Sequence, residues 1–156
     1  MRYRSSVIML VGLGLLLAIA AGCASRQTPT QAVGQVEGAR PSNPGGPGPA
    51  LDLKGDPQKG AQVFTTCVPC HGDQGKGGVK NPGSEDGTVP PLSPVDDTIA
   101  NPDPKVFAYN LDLFIEHGST PEGTNPTFKM PAFGDTKALT PQQIADVIAY
   151  VMSLNK

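Results

Sequence analysis

Five residues, Cys67-Val68-Pro69-Cys70-His71, constrain this chain more than any other stretch. Two thiols with two residues between them, followed at once by an imidazole, are the attachment motif of a c-type haem. The thiols add to the two vinyl groups of the porphyrin, and the spacing lets one short turn reach both. His71 is then carried under the ring, where its free nitrogen can bind iron. The rival chemistries are a dithiol or a zinc site. A structural zinc site wants four protein ligands, and the only other soft ligands are Cys23, near the N-terminus, and His117. A thioredoxin-like dithiol follows a strand in a βαβ pattern, and no such pattern is visible. The motif is read as one covalent haem c attached through Cys67 and Cys70.

One axial protein ligand leaves a reactive position on the iron, whereas two make an electron carrier. Met130, in Lys129-Met130-Pro131-Ala132-Phe133-Gly134, is the candidate for the second. A methionine is more often core filler, because its thioether is flexible and apolar. Here Pro131 fixes a rigid turn, and Gly118, Pro121, Gly123 and Pro126 place Met130 in a loop. Met1 and Met9 lie near the N-terminus, and Met152 falls in a terminal helix. His117 competes for the role. It ends a predicted helix before Gly118, where a protonated imidazole is favoured by the helix dipole, and it is expected at the surface. His/Met ligation raises the potential and suits a one-electron relay.

The run Gly55-Asp56-Pro57-Gln58-Lys59-Gly60-Ala61-Gln62-Val63-Phe64 into Cys67-Val68-Pro69-Cys70-His71-Gly72 resembles the start of a class I bacterial cytochrome c. Met130-Pro131-Ala132-Phe133-Gly134, Leu139-Thr140 and Ile144 to Val151 resemble its end. The resemblance implies an all-α fold around one haem over residues 53–156. It further implies thioether links at Cys67 and Cys70, His71 as proximal ligand and Met130 as distal ligand. Pro90, in Pro90-Pro91-Leu92, matches the proline whose carbonyl accepts the proximal imidazole N–H, a bond that would orient His71. The chain has no Trp, which some members use to bind a haem propionate. The Gly-rich stretch from Gly72 to Pro91 is long and its path is not evident.

About 100 residues look foldable, one small domain that is marginal on its own apolar burial. A macrocycle in the core would correct this. The 19 Gly and 17 Pro signal long irregular connections.

The N-terminus reads as an address. Arg2 and Arg4 precede an apolar run from Val7 to Ala21, then Gly22-Cys23. This is the layout of a secretory signal, and the run is shorter than the roughly 20 residues a spanning helix needs. Ala20, Ala21 and Gly22 before Cys23 resemble a lipobox, although Ala20 stands where Leu is usual. Residues 1–22 are expected to be a lipoprotein signal, with Cys23 acylated; an uncleaved signal anchor is the alternative. Either places the domain on the extracytoplasmic, periplasmic side of a bacterial membrane, where haem c is attached. Residues 23–52 read as a Pro/Gly-rich disordered linker with a reach of roughly 30 Å. Docking of that segment on a larger complex is the competing reading.

Three helices are expected in the domain. One runs from Pro57 to Thr66 with Asp56 as N-cap. A second runs from Asp103-Pro104 to His117, with Val106, Phe107, Leu111 and Phe114 inward. The last is announced by Thr140-Pro141-Gln142-Gln143, a capping box with Pro at the first helical position. In the family the last helix crosses the first at a small residue such as Gly60, with Phe64 and Tyr150 packed there.

Loss of Arg2 and Arg4 leaves ten basic against fourteen acidic residues, so nucleic-acid binding is not expected. Lys76, Lys80, Lys129 and Lys137 flank the two motifs and could ring a haem edge, or simply be solvated. The leading functional reading is a membrane-tethered, non-enzymatic carrier. It passes single electrons between membrane redox complexes of a respiratory or photosynthetic chain. The second is a fixed monohaem subunit of a quinol-oxidising complex, resembling those of alternative complex III. A haem peroxidase or sensor is the third, and it requires an open iron position.

Overall fold

The computed structural model describes residues 45–156. The expected signal segment, Cys23 and the first part of the expected linker lie outside the described residues. The body is helical: α1 (Pro57–Val63), α2 (Val68–His71), α3 (Pro104–His117) and α4 (Pro141–Leu154), with short 3-10 turns at Pro49–Asp52, Phe64–Thr66 and Asp73–Gly75. Among the described residues there is no strand; three isolated antiparallel bridges stand in for sheet. No helix among them is long and apolar enough to cross a membrane.

Local chemistry sets the helix starts. Asp56 caps α1 by accepting from the N–H groups of Gln58 and Lys59, and Pro57 opens the helix without losing a hydrogen bond. Asp103 caps α3 through the Lys105 N–H, again with Pro at the start. At α4 the Thr140 side chain accepts from the Gln143 N–H while the Gln143 side chain accepts from the Thr140 N–H, a reciprocal box that satisfies two otherwise orphaned donors. The first helix is shorter than expected. Its α geometry stops at Val63 and tightens to 3-10 through Thr66, the usual way a last turn closes.

α1 crosses α4 at Gly60. A Cβ there would overlap the backbone carbonyl of Asp146 and press on Tyr150, so only glycine lets the two backbones meet. Phe64 and Tyr150 stack beside the crossing, with ring centroids 5.1 Å apart, a tilted geometry favoured by the ring quadrupoles. Asp146 is buried there. Its Oδ1 accepts from the Asp56 N–H at 2.8 Å and from Gln142 Nε2 at 2.9 Å, which fastens the cap of α1 to α4. The core then assembles from Phe64, Phe107, Leu111, Ile115, Ile144, Val147, Ile148 and Val151. Each such side chain contributes about 1.5–3 kcal/mol on full burial.

Residues 45–52, expected from the sequence to be linker, belong instead to the packed body. Ala50 is 1% exposed and sits in the core. The Gly48 N–H donates to Asp112 Oδ2 at 2.6 Å, and the Gly46 carbonyl faces His117 Nε2 at 2.6 Å. Pro and Gly keep residues 45–48 out of helix but do not stop their backbone from bonding to side chains. The strap covers one side of α3, and this explains a second correction. His117 is not a surface residue but is buried, with Nδ1 on Asp135 Oδ2 at 2.9 Å. Asp112, bonded to Gly48 of the strap, is buried with it, and Asn110 is buried as well. Asn110 donates to the Ile99 carbonyl, and Val106 and Phe114 are only half-buried.

Candidate functional site

The haem motif is wound into a single turn. Cys67 caps α2, the Cys70 and His71 N–H groups donate to its carbonyl at 3.1 and 2.9 Å, and Gly72 at φ 73 ends the turn. Residues three and four apart share a helix face, so Cys67, Cys70 and His71 point the same way. Val68, Leu92, Met130, Phe133 and Met152 are partly buried hydrophobics packed on the core. Burial, and secondarily the neighbouring Cys70, push the Cys67 thiol up to about 11. Reactive dithiols and zinc ligands need thiolates, favoured by lowered pKa values.

His71 Nδ1 lies 3.1 Å from the Pro90 carbonyl. A carbonyl can only accept, so Nδ1 carries the proton and the lone pair is left on Nε2. Burial lowers the His71 pKa, and the bond to Pro90 opposes this only in part. The ring is therefore neutral near pH 7 and has a nitrogen free to ligate. The structure thus brings Cys67, Cys70, His71 and Pro90 together.

Met130 stands in a separate loop bolted to the end of α3. Its N–H donates to the Ser119 carbonyl at 2.8 Å, and its carbonyl accepts from the Ser119 N–H at 3.1 Å. Gly118, at φ 69, allows this approach, because a Cβ there would meet the Met130 carbonyl and the Ala132 nitrogen. Beyond Met130 the N–H groups of Phe133, Gly134 and Asp135 donate to the carbonyls of Ile115 and Glu116. The free carbonyls at the end of α3 are thereby satisfied. His117, the rival of Met130 for the iron, has both ring nitrogens engaged by Asp135 and Gly46. Cys23 lies outside the described residues.

The stretch from Gly72 to Pro91 is an ordered excursion. The Val89 N–H donates to Val79 and the Asn81 N–H to Gly87, around an antiparallel bridge between Lys80 and Thr88. At its base Leu92 and Ser93 both donate to the Gly75 carbonyl. Asn155 then holds the next turn. Its Nδ2 donates to the Leu92 and Val151 carbonyls and its Oδ1 accepts from the Val95 N–H. Neither Asn155 nor Asn81, which bonds the loop ahead of Met130, stands out in the sequence. Asn in Lys80-Asn81-Pro82-Gly83 reads only as a turn former.

The donor set fits haem c: two thiols and an imidazole on one turn, the imidazole with its tautomer fixed. No curated protein and no solved structure matches the chain. The cytochrome c family model matches residues 57–155, a span running from the first residue of α1 to the residue after α4. With its two cysteines and histidine spaced as covalent haem c attachment requires, the chain belongs to the cytochrome c family.

Proposed function

We propose that this protein is a one-electron relay whose iron is held by His71 Nε2 and Met130 Sδ, and that Cys23 carries the lipid that tethers it to the extracytoplasmic face of a bacterial membrane. Electron transfer by a haem c protein is what the family does; the ligands, the membrane and the partners are the proposal. Bound haem supplies the one-electron chemistry, and the chain supplies binding, orientation and electrostatics. The Pro90 carbonyl accepts a hydrogen bond from His71 Nδ1–H and so fixes the ring and raises its basicity. Ser119 holds the Met130 backbone on both sides, and Pro131 stiffens the chain immediately beyond it. The single observation that carries the reading is the hydrogen bond from His71 Nδ1 to Pro90, which leaves the opposite nitrogen free for a metal.

The donor and acceptor are then membrane redox complexes, one oxidising quinol and one consuming electrons. A second reading, a fixed monohaem subunit of a quinol-oxidising complex, draws support from the docked strap at residues 45–52, which shortens any free tether. Purification in mild detergent separates the two. A relay elutes alone, whereas a subunit co-elutes with integral membrane chains. The site itself is tested by mass and spectrum. The mature wild type should carry one porphyrin, Cys67→Ser with Cys70→Ser should lose it on denaturation, and the ferric protein should show the far-red band of methionine-ligated iron. Ready binding of carbon monoxide without that band would overturn the relay and favour a sensor or peroxidase.

A further inference from the structure

The excursion after the haem motif does not end at its own hairpin. Its tip lies antiparallel beside the segment that leads into Met130, and the two are zipped together. The Glu85 N–H donates to the Glu122 carbonyl at 2.7 Å, the Asn125 N–H to Gly83 at 3.3 Å, and the Thr127 N–H to Pro82 at 3.0 Å. The last rung is a side chain. Asn81 Nδ2 donates to the Phe128 carbonyl at 3.0 Å, and the Phe128 N–H donates to Asn81 Oδ1 at 2.7 Å. The partners fix the amide orientation, since only Nδ2 can face the carbonyl and only Oδ1 the N–H.

Asn81 is 1% exposed. Its backbone N–H donates to Gly87, and its carbonyl accepts from the N–H and hydroxyl of Ser84. It is thus held in its own hairpin while its side chain grips the facing loop. Only Lys129 separates the gripped residue, Phe128, from Met130, whose N–H and carbonyl are both bonded to Ser119.

We propose that Asn81 is a positioning residue for Met130, acting through Phe128 to hold the distal loop where the thioether meets iron. This rests on the ligation reading above and extends it to a residue of the hairpin that follows the haem motif. A thioether is a weak ligand, so its hold depends on how little the loop loses on binding. Truncating Asn81 removes both bonds that hold the Phe128 backbone, and Phe128, which is 42% exposed, can turn to water instead. The loop then sags to find other partners, and external ligands compete better.

The test is imidazole titration of the ferric holoprotein, which reads how easily Met130 is displaced, together with the far-red methionine–iron band. Wild type, Asn81→Ala, Asn81→Asp and Thr127→Val are compared. Thr127→Val deletes a hydroxyl bond to Pro82 in the same zipper and serves as the control. Asn81→Ala should bind imidazole about tenfold more tightly, or more, and weaken the band, while Thr127→Val stays close to wild type. In Asn81→Asp a protonated carboxyl can both donate to and accept from Phe128, so the band should recover as the pH is lowered. If Asn81→Ala does not take up haem, the pH response of Asn81→Asp decides, and a band indifferent to pH overturns the proposal. A wild type with the band and an Asn81→Ala protein of unchanged imidazole affinity overturns it while leaving ligation intact. Equal effects in Thr127→Val and Asn81→Ala also overturn it, because the loss is then general loosening. A wild type without the band removes the ligation reading and this proposal together.

Discussion

His117 Nε2 lies 2.6 Å from the carbonyl oxygen of Gly46 while its Nδ1 lies 2.9 Å from Asp135 Oδ2. Both ring nitrogens face acceptors, so both need a proton and the ring is an imidazolium in the docked state. Burial on its own would lower its pKa. The hydrogen bonds to Asp135 and Gly46 and the charges of Asp135 and Glu116 outweigh burial and raise it. A raised folded pKa gives stability that is complete below the unfolded value and is lost as pH rises through the folded one. Asp112, also facing the strap, is raised by burial first and by Glu116 second, against the Gly48 N–H and His117. It therefore works in the same direction at lower pH. Urea stability should fall, and exchange of the Gly48 amide should quicken, as pH rises above neutral. His117→Ala should lose about 1.5–3 kcal/mol at mildly acid pH and show a flatter profile above neutral.

Gly60→Ala should destabilise the protein by about 1–3 kcal/mol, read as a lower urea midpoint with unchanged slope. The sign is diagnostic. In an uncrowded helix the same change stabilises by up to about 1 kcal/mol through helix propensity. A gain would mean that α1 and α4 do not touch at Asp146.

Met130→Ala should lower the reduction potential by a sizeable part of the roughly 0.8 V that axial ligands command, with the far-red band lost and carbon monoxide bound by the reduced protein. Potentiometry with a carbon monoxide titration checks both. An unchanged potential would mean that the thioether lies off the iron.

Lys76, Lys80, Lys129 and Lys137 are all exposed. If they dock an acidic partner, electron transfer to that partner should slow steadily as salt rises and the Debye length shrinks below about 10 Å. Replacing all four by Gln should flatten the salt dependence in stopped-flow measurements. A rate indifferent to salt in the wild type would remove the lysine ring from recognition.

What can be read from the sequence is what local chemistry decides. Asp56-Pro57, Asp103-Pro104 and Thr140-Pro141 mark helix starts because a cap and its donors lie within one turn. The two cysteines and His71 declare themselves because their spacing is itself the geometry. The strap at residues 45–52 is hidden because its contacts use the backbone N–H of Gly48 and carbonyl of Gly46, groups that every sequence has. A position at a helix end gives His117 a sound local reason to lie at the surface, and the distant Gly46 overrides it. Asn81 is silent for the same cause, since its partner lies 47 positions away.

The bond between Asp56 and Asp146 closes a span of 90 positions. Contacts so distant form late, because the intervening chain must be brought round before they repay its entropy. The thiols of Cys67 and Cys70 are synthesised long before α4 exists. The turn that carries Cys67, Cys70 and His71 needs no such closure, because its own hydrogen bonds lie within four positions.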